Sequence, residues 1–155
     1  MANERERNYG SQSSGYSPRN EVSRKEYKMK METEWVSGRK QIDNATIAWA
    51  NHFGEYLAGP KEDQAALTTS QIRKFFGEVK RIQANFEKYA DDVPMLSAKL
   101  AYAVGRHKKP ERIKVFYEEF DAAIKAVDGN EDNFNRFVKL LESTVAFHKF
   151  HGGRD

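Results

Sequence analysis

The feature that most constrains this chain is the spacing of its apolar residues from position 42 onward. Side chains three and four positions apart recur through the region, as in Ile72, Phe75, Phe76, Val79 and Ile82. That spacing puts apolar residues on one face of an α-helix, whereas a half-buried strand needs strict alternation, which is absent over any useful length. The pattern predicts an all-α fold, a bundle of about five helices.

Start and stop signals between the apolar stripes divide this region. Gly59-Pro60 ends the first helix, and Thr68, Thr69 or Ser70 caps the second. Asp128-Gly129-Asn130 separates the fourth helix from the fifth, and Gly152-Gly153 ends the fifth. The predicted helices cover about residues 42–57, 70–89, 94–107, 110–127 and 131–150.

Composition divides the chain into two parts. Residues 1–40 are rich in Ser, Gly, Asn, Arg and Glu, and they carry nine Lys or Arg against six Asp or Glu. Such a segment has too little apolar surface to offset its ordering entropy, so we expect a disordered or partly helical basic arm. Residues 41–155 form the predicted helical bundle domain, and their seventeen basic and seventeen acidic residues cancel.

Several classes of protein are disfavoured by composition. The chain has no cysteine, which excludes disulfides, thiolate metal sites and a cysteine nucleophile. No window approaches the roughly 20 apolar residues of a membrane span, and the N-terminus lacks an apolar signal core. We therefore expect a soluble cytoplasmic protein that has no membrane partner and no cofactor.

Basic residues recur at helical spacing on three of the predicted helices. On the second helix, Arg73 and Lys80 share one side near the small residues Gly77 and Ala84. Small neighbours leave room for a polyanion backbone, and Arg and Lys neutralise phosphates without reading sequence. The candidate RNA-binding residues are Arg73, Lys74, Lys80, Arg81, Lys99, Arg106, Lys139, Lys149 and Arg154.

Ordinary roles compete with each of these interpretations. Charged outer faces are common on helices, so the cations could simply be solvated. Tyr102 could stack on a base, or it could be an amphipathic residue at the core edge. His148 and His151 lack the further ligands that a metal site needs, and His148 is expected to pack at the helix end.

Three segments, taken in order, resemble a known family. They are the Thr-Thr-Ser-Gln-Ile-Arg helix start at 68–73, the Ala-Tyr-Ala-Val-Gly-Arg stretch at 101–106, and the ending Ala-Phe-His-Lys-Phe-His-Gly-Gly-Arg-Asp at 146–155. Together they resemble the small subunit of the type III-A CRISPR-Cas effector, the Csm complex. The resemblance covers roughly residues 67–155.

The resemblance implies a helical bundle without catalytic activity. Copies would stack into a short filament beside the backbone subunits that hold the CRISPR RNA, and would line the groove where guide pairs with target RNA. The implied partners are CRISPR RNA, target RNA, the other Csm subunits and further copies of the same chain. Arg73, Lys80, Arg106 and Lys149 lie where the cationic faces and the family motifs coincide.

Two hypotheses from other classes remain open at this point. The chain could be a helical adaptor that binds protein and never contacts nucleic acid, although such an adaptor has no need for cations placed around small residues. It could also be a metal-independent ribonuclease that uses His148 and Lys149, but no residues fix a base, an acid and an oxyanion site together.

Overall fold

The computed structural model describes residues 29–154, and every described element is helical. Five long helices agree with the predicted bundle, and two single turns, α1 and α4, accompany them. No helix among the described residues is long and apolar enough to cross a membrane. The helices are α1 (Glu34–Ser37), α2 (Asn44–Ala58), α3 (Thr69–Ala84), α4 (Phe86–Tyr89), α5 (Asp92–Arg106), α6 (Glu111–Val127) and α7 (Glu131–Phe150).

Local capping explains where the long helices begin. Asp43 accepts the backbone N–H groups of Ala45 and Thr46 at the start of α2. Thr68 caps α3 in a reciprocal capping box with Gln71, which selects one of the three predicted caps. Asn130 accepts the Asn133 N–H at 2.9 Å at the start of α7. These side chains satisfy backbone donors that have no partner within the helix.

One predicted boundary is wrong. The second helix was expected to continue to Tyr89, but α3 ends at Ala84 and a separate turn, α4, follows. Asn85 lies between them with φ −151° and ψ 73°, outside the helical region, and its side chain accepts the Lys88 N–H. An Asn side chain offers the backbone a local alternative to the helical hydrogen bond, which a continuous apolar stripe does not reveal.

The core is built from aromatic rings of α2, α6 and α7. Trp49 and Phe53 of α2 pack against Phe116 and Phe120 of α6, and the ring centroids of Phe53 and Phe120 are 6.0 Å apart. Phe137 of α7 meets Phe120 edge-on at 5.8 Å. All five side chains are at most 2% exposed. Their burial anchors the three helices that support the rest of the bundle.

The described part of the predicted arm packs on this core. Met31, Trp35 and Val36 are buried, and the Met31 N–H donates to Glu119 Oε2 at 2.7 Å. The Arg136 Nε donates to the Val36 carbonyl at 3.1 Å. The packed region therefore begins before residue 41. Residues 1–28 lie outside the described residues, so the predicted division at residue 40 stays a prediction for them.

Substitution of two helical glycines by alanine should change the stability of the protein in opposite directions. A Cβ at Gly54 of α2 would lie 2.6 Å from the backbone nitrogen of His148, whereas one at Gly77 of α3 would meet nothing within 4 Å. We expect Gly54→Ala to destabilise the protein by about 1–3 kcal/mol, because the α2–α7 contact must open. Gly77→Ala should stabilise it by about 0.5–1 kcal/mol. Urea unfolding measures both, and equal effects would contradict the close approach of α2 to α7.

Candidate nucleic-acid interface

Two of the three segments that carry the family resemblance contact each other. The backbone N–H of Thr69, in the first turn of α3, donates to the carbonyl of Arg154 in the C-terminal tail. The Thr69 Oγ1 donates to the Gly153 carbonyl at 3.1 Å, and the Arg154 Nη2 donates to the Asp63 carbonyl at 3.0 Å. The tail therefore fastens the start of α3, and the Arg154 guanidinium already has a partner within the fold.

His148 lies beneath this tail and is completely buried. Its Nε2 is 2.7 Å from the Leu67 carbonyl, which can only accept, so Nε2 carries the proton. A Cβ at Gly153 would collide with the imidazole ring, which explains why glycine covers it. The side chain packs at the helix end as predicted, and an imidazole held there cannot reach an RNA phosphate.

Burial lowers the pKa of His148, and the nearby charge of Lys149 lowers it further, although the hydrogen bond to Leu67 opposes the shift. Between the lowered folded pKa and the ordinary unfolded pKa, His148 therefore carries a proton in the unfolded chain but not in the folded chain. We expect stability to fall as pH drops below about 6.5, the ordinary histidine pKa, until the lower folded pKa is reached. Above about pH 6.5, His148 is mostly neutral in both the folded and the unfolded chain, so it contributes little pH dependence.

The comparison that isolates His148 is urea unfolding of the wild type and His148→Gln at pH 5, 6, 7 and 8. Gln can still donate to the Leu67 carbonyl but does not titrate. The wild type should lose more unfolding free energy than the variant between pH 7 and pH 5. Parallel pH profiles would show that His148 is not held neutral in the folded state.

Four of the candidate cations lie on the outer side of the α3–α7 pair. The two helices run antiparallel, since Gln83 Nε2 bonds Asn135 Oδ1 at 3.2 Å at one end and Thr69 bonds Gly153 at the other. This face carries three small exposed residues, Gly77, Ala84 and Ala146, and the exposed acids Asp132 and Glu142. The α3–α7 face is defined by the exposed cations Arg73, Lys80, Lys139 and Lys149.

The other helical candidates lie around a groove on the opposite side of α3. A cavity of about 920 Å³ opens between α3 and α5, with α6 beneath it. Lys74, Lys99 and Arg106 line it, together with Lys108 and Lys109, which follow α5 and were not among the predicted site residues. The α3–α5 groove is defined by these cations and an apolar floor of Leu67, Ile72, Phe75, Leu100, Ile113 and Phe116.

Two of the candidates near this groove are already ion-paired. Glu78 accepts from Lys99 at 2.6 Å and from Arg81 at 3.4 Å, and Arg81 also reaches Asp92 at 3.0 Å. The hydrogen bond from Lys99 holds the pKa of Glu78 below its ordinary value, so this carboxylate is ionised in the groove. These charges are partly neutralised within the protein.

Five of the candidates on the helices have no carboxylate within ion-pair distance in residues 29–154. They are Arg73, Lys74, Lys80, Arg106 and Lys139. Lys80 donates only to the neutral Gln83 side chain, at 2.9 Å. An unpaired exposed cation remains available for a phosphate, because no internal ion pair must be broken first.

Tyr102 lies at the surface, not at the core edge. It is 67% exposed, and the Arg106 guanidinium lies 5.6 Å from its ring centroid. The core-edge alternative is therefore wrong. The sequence pattern could not separate the two, because Tyr102 shares a face with Lys99 and Arg106 that is only partly covered by neighbouring helices.

The histidines do not assemble a chemical centre. His151 Nε2 is 2.6 Å from Asn51 Oδ1, while His148 points to the loop before α3. Within residues 29–154, no group of three His, Cys, Asp or Glu side chains is arranged to hold a metal ion. The arrangement on which the ribonuclease hypothesis depended, a solvent-facing His148, is absent.

Comparisons with known proteins support the family resemblance carried by the three sequence segments. A family model described as Csm2 Type III-A matches residues 40–154, which is more than half of the chain. A curated protein from Streptococcus thermophilus, described as "CRISPR system Cms protein Csm2", is 30% identical over 94 residues, covering 57% of this chain and 76% of the relative. No solved structure matches the chain at a significant level.

Proposed function

The chain belongs to the Csm2 type III-A family, and we propose that it contacts the sugar-phosphate backbone of CRISPR and target RNA. As a family member it is a small subunit of the type III-A Csm complex. We further propose that copies stack end to end in a filament, and that the subunit itself catalyses no reaction. This role implies a cytoplasmic location.

The observation that carries the proposal is the α3–α7 face. It gathers four exposed cations in a domain whose basic and acidic residues are equal in number over residues 41–155. Arg73, Lys80 and Lys139 keep their charges unpaired in the described part of the chain. Segregation of this kind, without a net excess, gives a local field that attracts a polyanion.

The chemistry of this face suits an RNA whose sequence varies. A guide-directed complex leaves sequence recognition to base pairing, so its protein subunits need only backbone and shape contacts. Lys and Arg side chains beside Gly77, Ala84 and Ala146 provide such contacts, because small residues let a backbone approach the helices.

Stacking would strengthen the binding of each copy. A head-to-tail contact that does not close on itself builds a filament. Several weak phosphate contacts then act together, since neighbouring copies hold the same RNA at a high effective concentration. A near-neutral domain is compatible with this arrangement, because adjacent copies do not repel one another through a large net charge.

The first experiment is a pull-down of the tagged full chain from its native cells, with identification of bound RNA and proteins. Recovery of CRISPR RNA with the other Csm subunits is the expected result. Recovery of the subunits without RNA would favour the adaptor hypothesis. In that case the α3–α7 face would not be an RNA surface.

A further inference from the structure

The α3–α5 groove has a property that RNA binding does not require. Six apolar side chains form its floor, and two exposed apolar residues of α5, Met95 and Tyr102, stand along its side. Met95 is 55% exposed and Tyr102 is 67% exposed. The floor side chains are each at most 7% exposed, so the apolar surface left to cover is mainly that of Met95 and Tyr102. A protein segment buries such surface favourably, whereas a phosphate backbone gains little from it. A volume of about 920 Å³ also exceeds what one or two side chains would fill.

The charges around the groove indicate which kind of protein segment it would bind. Lys74 lies on the α3 side, and Arg106, Lys108 and Lys109 lie at the α5 end, all without an ion pair in the described residues. Lys99, the fifth cation of the groove, bonds Glu78 at 2.6 Å, so the groove lacks a continuous line of free cations for a phosphate backbone. A helix can instead place its carboxylates beside the cations and its apolar residues on the floor.

We propose that the α3–α5 groove is the docking site for an acidic amphipathic helix of another protein subunit of the complex. The inference rests on membership of that complex, and it does not depend on where RNA binds. The α3–α7 face and the α3–α5 groove would then divide the work of the subunit. One contacts nucleic acid, and the other holds a protein neighbour.

This chain does not offer a suitable occupant itself. Residues 1–28 carry six Lys or Arg and four Asp or Glu, so their net charge has the same sign as the groove rim. A second copy also fits poorly. Outside the groove, the large apolar residues exposed in residues 29–154 are Met29, Ile47 and Phe150, and they do not form a helical stripe at spacings of three and four. Two of them adjoin a lysine, Lys30 or Lys149.

The test places the photo-crosslinker p-benzoylphenylalanine at Met95 in the full chain, within the assembled complex, and identifies the cross-linked product by mass spectrometry. A matched probe at Lys114, an exposed position of α6 outside the groove, is the control. The expected product joins Met95 to a segment of another subunit that is acidic and has apolar residues at helical spacing. Adducts to RNA, to a second copy of this chain or to a basic segment would overturn the proposal, as would no adduct.

Charge-reversal variants separate this proposal from the proposed RNA function. Lys108→Glu with Lys109→Glu, two exposed groove residues that are not among the candidate RNA-binding residues, should lower the Met95 cross-link yield by about tenfold or more, while target-RNA retention changes by less than about twofold. Lys61→Glu with Lys114→Glu makes the same change in net charge elsewhere and should affect neither. Loss of RNA retention in the groove variant would assign the groove to RNA and overturn the docking proposal. Loss of RNA retention only in α3–α7 variants would leave it intact.

Discussion

Reversing two charges on the α3–α7 face, with Arg73→Glu and Lys80→Glu, should lower the affinity of the assembled complex for target RNA by at least about 100-fold. In the proposed role, each reversal would remove a phosphate contact and add a repulsion, and a cost of about 1.4 kcal/mol per site corresponds to tenfold. The two sites are seven residues apart, so their effects should roughly add. Every copy in the proposed filament would carry both changes. Filter binding at about 0.1 M salt measures the loss.

The fold should not change in this variant, because both side chains are exposed and neither is in an ion pair in the described part of the chain. Its circular dichroism and melting temperature should match the wild type. Lys61→Glu with Lys114→Glu is the matched control, since it also changes the net charge by four at exposed positions. Unchanged RNA affinity in the Arg73 and Lys80 variant would show that the wrong face has been chosen.

Removing the ring of Phe137 should cost about 3–5 kcal/mol of unfolding free energy. Phe137 is fully buried, with ring centroids 5.6 Å from Phe134 and 5.8 Å from Phe120, so truncation to Ala leaves a cavity between α6 and α7. Leu141→Ala, at another fully buried position one turn later, should cost about 2–5 kcal/mol. Urea unfolding monitored by tryptophan fluorescence measures both losses.

Phe150 provides the matched control for the core truncation. It belongs to the same helix as Phe137 but is 77% exposed, so Phe150→Ala should change stability by no more than about 0.5 kcal/mol. The difference between these two identical substitutions measures burial directly. A loss near zero for Phe137→Ala would mean that α7 presents a different face to the core.

The helical fold was predictable because its signals are local and periodic. Phe116, Phe120 and Ile124, which recur at spacings of four on the predicted fourth helix, are all buried in α6. Apolar side chains at spacings of three and four must share a face in a helix, whatever the rest of the chain does. The break at Asn85 was missed because the apolar stripe continues through Phe86. Phe86 is buried, but it belongs to the separate turn α4.

The packing of residues 31–36 depends on distant partners, and so it could not be predicted from local composition. Trp35 lies 6.0 Å from Trp49, measured between ring centroids, and the Met31 N–H bonds Glu119, which is 88 residues away. Three apolar residues, Met31, Trp35 and Val36, look insufficient to order a charged segment. They suffice here because α2, α6 and α7 already form a surface that receives them.

The spacing and exposure of the candidate cations were predictable from the sequence, but their arrangement across helices was not. Helical spacing correctly placed Arg73 and Lys80 on one exposed side of the second helix. It could not show that Arg106 lies in a groove apart from Arg73, because the relative positions of α3 and α5 arise from tertiary packing. The same limit hid the pairing of Lys99 with Glu78, which is 21 residues away.

The most direct test of the central claim is ultraviolet cross-linking of target RNA within the assembled complex, followed by mapping of the adducts on this chain. Adducts should fall in α3 and α7, on peptides that contain Arg73, Lys80, Lys139 or Lys149, and should not depend on guide sequence. Adducts confined to the α5 segment, or none on this subunit, would contradict an RNA-backbone role for the α3–α7 face.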